Sequence, residues 1–125
     1  MAGVVVHLNP GSLLNTIEAL HAMGRDMTYL RVTVRKWTID LDSREGQAIF
    51  QRISEEGVRV FRKQPGFIQY RLVQTDNKTT IAVAEWENED LGKSGARHYR
   101  DWLKSSGIAE RLTLTTRDGP VVASS

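Results

Sequence analysis

The chain contains no cysteine, and this absence excludes a first set of functions. Disulfides, thiolate catalysis, cysteine zinc sites and iron–sulfur clusters all need cysteine sulfur. No apolar run approaches the roughly 18 residues that a membrane-spanning helix needs. The first residues also lack the basic region and apolar core of a secretory signal. We therefore expect a cytoplasmic protein with no membrane partner.

An excess of charge of one sign is also missing, because the formal net charge is only +2 and basic residues are scattered among acids. The cations are 12 arginines and 5 lysines, and arginine suits planar anions and aromatic surfaces better than lysine does. No basic stripe with interleaved aromatics occurs, so no nucleic-acid partner is expected. The length of 125 residues and the hydrophobic content of 40% predict one globular domain.

The chain divides into an extension, a domain and a tail. Residues 1–26 contain a short candidate strand at residues 4–6 and a candidate helix at residues 12–24, which Ser12 can cap and Gly24 can end. This extension is either an appendage on the surface or a cover over a partner subunit. Residues 27–119 form the domain, and residues 120–125 are a tail that is either loose or paired at a sheet edge.

The domain has the element order β-α-β-β-α-β. Residues 28–38 alternate between two unlike faces, which is typical of a strand. One face carries Leu30, Val32 and Val34, and the other carries Tyr29, Arg31, Thr33, Arg35 and Trp37. A helix follows, with Asp42 or Ser43 as its cap; it runs to about residue 63, before Pro65-Gly66. A hairpin (residues 67–74 and 78–87), a helix (88–105), a helical turn (108–112) and a last strand (112–117) complete the order.

The hairpin register decides which side chains share a face. Asp76-Asn77 is typical of a two-residue turn with positive φ values, which pairs Thr75 with Lys78. This register places Gln69 and Arg71 on the face of Trp86, together with Ala82, Ala84 and Thr80. The face opposite them then contains Ile68, Tyr70, Leu72, Ile81, Val83 and Glu85.

The β-α-β-β-α-β order predicts a ferredoxin-like α+β fold, a split βαβ arrangement with one four-stranded antiparallel sheet. Both faces of this sheet carry apolar or aromatic residues, and its two helices cover only one face. A second copy of the sheet is the simplest cover for the other face. The pattern therefore predicts a homodimer.

Several of these landmarks together resemble one family. They are the long helix ending in Pro65-Gly66, the hairpin, the strand end Glu85-Trp86-Glu87-Asn88 and a helix containing Arg-Asp-Trp-Leu-Lys-Ser at residues 100–105. They are similar to the antibiotic biosynthesis monooxygenase-like family, whose members are dimeric α+β barrels. The resemblance implies a monooxygenase that needs no metal, flavin or other cofactor. Its substrates would be a small aromatic or polyketide-like compound, oxidised to a quinone, and molecular oxygen.

The chain departs from the patterns of this family at defined positions. Trp86 matches the family's tryptophan, but Ala82 stands where quinone-forming members are expected to have an asparagine and Gly92 where they have a tyrosine. Trp102 resembles the helix tryptophan of the haem-degrading relatives. Leu112, however, stands where their iron-binding histidine would be, and no asparagine lies between residues 27 and 37. Haem degradation is therefore disfavoured.

The resemblance and the predicted faces give a candidate site. Trp86 and Trp102 would contact the substrate, and Ala82 would leave space for it. Gln69 and Arg71 would be the polar groups, with Arg71 neutralising negative charge. His98 would be the catalytic base, because its ordinary pKa of about 6.5 suits proton transfer near neutrality. No metal site is expected, because the other two histidines, His7 and His21, lie in the extension.

Each candidate also has a structural interpretation. His98 is equally a partly exposed helix residue, Trp86 and Trp102 are equally core residues, and Arg71 can form a salt bridge with Glu85 or Glu87. On the first strand, Arg31, Arg35 and Trp37 can form a polar layer between subunits or a second anion site, and we assign them no function. Two other functions stay open: a non-catalytic barrel that binds small molecules or is associated with stress, and a non-oxidative isomerase or cyclase.

Overall fold

The structure, a computed structural model, describes residues 27–125, so the strand and helix expected in residues 1–26 lie outside the described residues. We number its elements in chain order. They are β1 Tyr29–Trp37, α1 Arg44–Arg52, a π-helical segment Ile53–Gly57, α2 Val58–Arg62, β2 Phe67–Asp76, β3 Thr79–Trp86, α3 Glu89–Ser105, a 3₁₀ turn Ile108–Arg111 and β4 Leu112–Pro120.

The four strands form one antiparallel sheet in the order β2-β3-β1-β4. Both central strands, β1 and β3, are distant in sequence but paired along their whole length. This is the ferredoxin-like arrangement, and the predicted fold is confirmed. The expected cap of the first helix forms, because the Ser43 hydroxyl accepts the Gly46 N–H at 3.1 Å. Asn88 caps α3, because its Oδ1 accepts the Leu91 N–H at 2.9 Å.

The helices cover one face of the sheet, which we call the helix face. The alternation of β1 puts Tyr29, Arg35 and Trp37 on this face, where all three are buried. From β3 the same face receives Trp86 and Ala82, and it packs against Ile53 of the π-helical segment and Phe61 of α2. Since these side chains form the core, the predicted faces of β1 are confirmed.

The hairpin register differs from the prediction by one residue in its middle. Asp76 pairs with Thr79, Tyr70 with Ala84 and Leu72 with Ala82, because β2 has irregularities between Phe67 and Gln69 and between Gln74 and Asp76. A β-bulge adds one residue to a strand and reverses the faces of the residues beyond it. The predicted pairing of Thr75 with Lys78 was therefore wrong.

The turn itself also differs from the prediction. No residue other than glycine between residues 27 and 125 has a positive φ, so the Asp76-Asn77 turn does not use the left-handed conformation. Instead, the Asp76 carboxylate accepts the backbone N–H of Lys78 at 2.8 Å, which closes the loop through a side chain.

Two further elements depart from the expected boundaries. Strand β4 continues three residues beyond Arg117 to Pro120, because its pairing with β1 extends as far as Tyr29. The first long helix is interrupted by the π-helical segment, in which Gly57 packs against the Trp102 ring. A Cβ on Gly57 would lie 2.9 Å from Trp102 Cζ3, so a larger residue there would push the two helices apart.

The other face of the sheet, the open face, has no helix over it within the described part of the chain. Leu30, Val32 and Val34 of β1 lie there opposite Glu85, Val83 and Ile81 of β3. Val73 of β2 is 50% exposed on the same face. An exposed apolar sheet surface of this kind is typical of a site of protein–protein interaction.

Candidate functional site

A cavity lies between the helix face of the sheet and helix α3. Its walls combine strand side chains, including Arg35, Tyr70 and Ala82, with Phe61 and with Tyr99 from α3. The space free of protein atoms is about 470 Å³, including the opening to solvent, but the centre of a water molecule can reach only about 50 Å³ of it. The cavity is therefore narrow and partly open to solvent, which suits a flat ligand.

Arg35 is the unusual residue of this cavity. Its side chain is only 3% exposed, and neither Nε nor Nη1 has a hydrogen-bond partner among the described residues. Strand alternation directs it under the helices, on the same side as Trp37. A buried charge is costly unless it is paired, and no carboxylate of residues 27–125 forms an ion pair with it. Two directed N–H groups are thus free to bind a ligand.

Two tyrosine hydroxyls accompany this cation. The hydroxyls of Tyr70 and Tyr99 are buried without a hydrogen-bond partner, and Arg35 Cζ lies 5.4 Å from the centre of the Tyr99 ring. Burial acts to lower the pKa of Arg35, but both tyrosines oppose this effect, and its pKa lies above the ordinary value. The guanidinium therefore stays charged although no hydrogen bond of good geometry holds it.

Tyr99 stays protonated, so it cannot act as a catalytic base. Burial raises the pKa of Tyr99 far above the ordinary value of tyrosine; Tyr70 adds to this effect, and Arg35 opposes it only in part. Tyr99 is consequently a neutral hydroxyl at physiological pH, and it can donate a hydrogen bond to an anion beside Arg35. It cannot remove a proton from a substrate under those conditions.

Aromatic rings form the inner wall. Phe61 stacks on Tyr99 with ring centres 4.1 Å apart and meets the edge of Trp86 at 5.8 Å. Trp86 is completely buried, its Nε1 has no partner, and its six-membered ring lies against the backbone of α3 at Gly95. A wall of this kind presents flat apolar surfaces to a bound aromatic ring.

The outer part of the cavity is polar. Arg31 forms a salt bridge with Asp118 at 2.5 Å, and the hydroxyls of Thr33 and Thr116 are 3.1 Å apart. Arg100 of α3 also lines the cavity and is exposed to solvent. Positive charge therefore extends from the buried Arg35 to the opening.

Only part of the predicted site comes together. Trp86 and Ala82 line the cavity as expected. Gln69 and Arg71 do not, since the one-residue shift of β2 turns them to the open face. There Gln69 donates to Glu85 at 2.7 Å, and Arg71 is exposed.

The two predicted residues of α3 also lie outside the cavity. His98 is exposed, and its Nδ1 lies 2.9 Å from the carbonyl oxygen of Ser94 one turn earlier, to which it can donate. Trp102 contacts Tyr99 at 5.5 Å between ring centres, but from the side that faces Gly57 and the first helix. It supports the wall without reaching the interior.

Sequence reasoning missed Arg35, Tyr70 and Tyr99 as site residues. The sequence placed Arg35 on a polar strand face, but no local pattern indicated that helices bury that face. Tyr70 was assigned to the wrong face together with its neighbours in the middle of β2. Tyr99 lies in sequence next to His98, whose residue type attracted the prediction instead.

Two searches of the described residues gave negative results. Within residues 27–125, no group of three or more histidine, aspartate or glutamate side chains could hold a metal ion. In the same part of the chain, no helix is both long and apolar enough to cross a membrane.

Comparison with known proteins agrees with the fold. The family model described as antibiotic biosynthesis monooxygenase matches residues 42–109, which is more than half of the chain. The chain belongs to the antibiotic biosynthesis monooxygenase family. No curated protein matches it.

Solved structures with the same fold are distant in sequence. SnoaB, a cofactor-independent oxygenase from Streptomyces nogalater, is 13% identical with a TM-score of 0.60, over 76% of this chain and 93% of SnoaB. A dimeric ferredoxin-like protein from an uncultured marine organism is 10% identical with a TM-score of 0.58, over 79% of this chain and 99% of that protein. At these identities the likeness establishes the fold alone.

Proposed function

We propose that this protein is a cofactor-independent monooxygenase that oxidises a small aromatic compound to a quinone in the cavity beneath α3. One observation carries the proposal: the buried Arg35, without a carboxylate partner, faces two tyrosine hydroxyls inside an aromatic-walled cavity. Preorganised donors in a water-poor site stabilise negative charge that develops during a reaction. Family membership and the fold shared with SnoaB support the same activity.

The chemistry assigned to each residue follows from this geometry. A phenolic ring lies against Phe61 and Trp86, with its oxygen at the free N–H groups of Arg35 and at the hydroxyl of Tyr99. The bound phenolate gives an electron to O₂, and the carbon para to its oxygen then forms a bond to oxygen. The hydroperoxide loses water to give the quinone. One oxygen atom enters the ring, and the other leaves as water with the phenol proton and the para hydrogen, so no external reductant is needed.

The size of the cavity bears on the substrate. About 50 Å³ reachable by the centre of a water molecule corresponds to a few waters. A single aromatic ring is the largest unit that this space suggests. A compound with several fused rings needs the walls to move.

We also propose that the protein acts as a homodimer. The open face carries Leu30, Val32 and Val34 across from Ile81 and Val83, and nothing in the described chain covers them. A second sheet packed on this face would bury the apolar surface. The marine relative with this fold is described as dimeric.

A second candidate function is binding without catalysis. The described side chains that line the cavity include no histidine, aspartate or glutamate, so no proton acceptor stands in it. This feature favours a small-molecule-binding barrel over an isomerase or cyclase, because those reactions require proton transfer.

Oxygen uptake by metal-stripped, flavin-free protein tests the proposal, with single-ring phenols and catechols that carry a hydrogen para to a hydroxyl as substrates. Uptake above the uncatalysed rate is expected, and Arg35→Met should lower kcat/KM by about 100-fold, the effect typical of losing a charge-stabilising donor. Arg71→Met and His98→Ala, which alter the residues predicted from sequence alone, should leave it within about twofold. Saturable binding of the same compounds without oxygen uptake would instead favour the second candidate.

A further inference from the structure

We infer that the cavity takes its ligand as an anion, an acidic phenol or an aromatic carboxylate, and that Arg35 rather than a side-chain base drives the ionisation. The inference rests on the site of the proposed function but does not depend on turnover. It narrows the substrate class from aromatic compounds in general to aromatic acids, and it excludes neutral carbon acids that need a strong base.

The first support is the balance of charge around the cavity. Strand β1 contributes Arg31 and Arg35, and helix α3 contributes Arg100. Among residues 27–125, the only carboxylate that forms an ion pair with any of them is Asp118 of β4, which is bound to Arg31. Among the described residues, the cavity therefore has two more positive charges than negative ones.

The second support is the lack of a proton acceptor. The other titratable groups that face Arg35 are the hydroxyls of Tyr70 from β2 and Tyr99 from α3, and burial keeps Tyr99 protonated. His98, the one histidine of the described chain, points to solvent from α3. A proton lost by the ligand must therefore leave through the opening to water.

The third support is the relative size of two opposing effects. Burial disfavours an anion, as it does at Tyr99. An opposite charge within about 4–6 Å lowers the pKa of an acid by roughly 1–3. Tyr99 meets Arg35 with the face of its ring, whereas a ligand oxygen can accept the free Nε–H and Nη1–H directly. We therefore expect the attraction to win for a ligand although it loses for Tyr99.

The test uses 4-nitrophenol, because its phenolate and phenol forms have different visible spectra and it is a poor substrate for oxidation. Titration of the protein–probe complex should give a pKa for the bound probe that is lower than in water by at least about 1. Benzoate should compete with it, and 4-nitroanisole, its uncharged methyl ether, should bind at least about tenfold more weakly.

Variants connect this result to Arg35. Arg35→Met should abolish the lowered pKa, and Arg35→Lys, which keeps the charge, should retain part of it. Arg97→Met is the matched control, because Arg97 is an exposed arginine on α3 that does not line the cavity. Thermal unfolding of each variant verifies that it is folded.

The outcomes separate the inference from the proposed function. A bound probe with an unchanged or raised pKa, or a methyl ether that binds as tightly as the phenol, would overturn the inference even if oxygen uptake is observed. Anionic binding without oxygen uptake from any phenol would support the inference and contradict the monooxygenase function.

Discussion

The contact between Gly95 and Trp86 provides the sharpest stability prediction. A Cβ on Gly95 would lie 2.0 Å from Trp86 Cη2, 2.4 Å from Cζ3 and 2.8 Å from Cζ2. Trp86 is 0% exposed, so its ring cannot move toward solvent to make room. The change Gly95→Ala therefore forces either helix α3 away from the sheet or the indole toward the cavity.

The expected magnitude combines two opposing contributions. Overpacking of a well-packed core costs roughly 1–3 kcal/mol, whereas alanine favours a helix interior over glycine by about 1 kcal/mol. Because a 2.0 Å approach is severe, we expect the clash to dominate, with a net loss of about 1–2 kcal/mol. For a domain of this size that corresponds to a fall in Tm of roughly 4–8 °C.

Thermal unfolding and urea titration of a glycine series measure this effect. Gly119→Ala meets open space and should be close to neutral, and Gly92→Ala, whose Cβ would lie 3.0 Å from Tyr29 Cδ2, should be intermediate. In a Trp86→Phe background the Gly95→Ala change should cost less, which a double-mutant cycle detects. If Gly95→Ala is as stable as Gly119→Ala, the Trp86 indole does not lie against α3 and does not form the inner wall of the cavity in this way.

Three further predictions concern groups in or near the core. Arg35→Met removes a buried charge that has no carboxylate partner, so Tm should stay or rise although ligand binding is lost; a lower Tm would show that Arg35 is stabilised in the free protein. Thr80→Val leaves the Trp37 Nε1–H, now bound at 2.9 Å, without an acceptor and should cost about 1–3 kcal/mol in urea unfolding, while Thr80→Ser should not. The backbone N–H of Lys78 holds the pKa of Asp76 below its ordinary value. Its stabilisation is therefore present above the ordinary pKa and is lost as pH falls through the lowered one, which an NMR titration and the Asp76→Asn variant can follow.

Most of the fold could be predicted from local sequence patterns, because strand alternation and helix capping depend on interactions within a few residues. The alternation of β1 placed Tyr29 and Trp37 on the face that the structure buries. Ser43 marked the start of the first helix through a side chain that accepts a backbone N–H group. Element order then left few topologies for the sheet.

The hairpin was predictable in position but not in register. β2 has two irregularities, one between Phe67 and Gln69 and one between Gln74 and Asp76, and each shifts the pairing by one residue in the same direction. Phe67 pairs with Trp86 as predicted, but the residues between the two irregularities do not pair as predicted. Nothing in the local sequence marks such a pair, since the residues involved fit a regular strand as well. The consequence was large because the predicted polar groups of the site, Gln69 and Arg71, depended on that register.

The importance of Arg35 depends on the helices that pack over β1, and the sequence of β1 alone does not show that they do. By itself, a face with Arg31, Thr33 and Arg35 is typical of a strand exposed to water. Between the buried Tyr29 and Trp37, however, the same face must continue under the helices. Polar side chains placed there lose their contact with water, which destabilises the fold. Stability alone therefore does not explain why they are polar. A strand whose aromatic ends are buried and whose middle is cationic is therefore better interpreted as one wall of an anion-binding cavity than as a solvated surface.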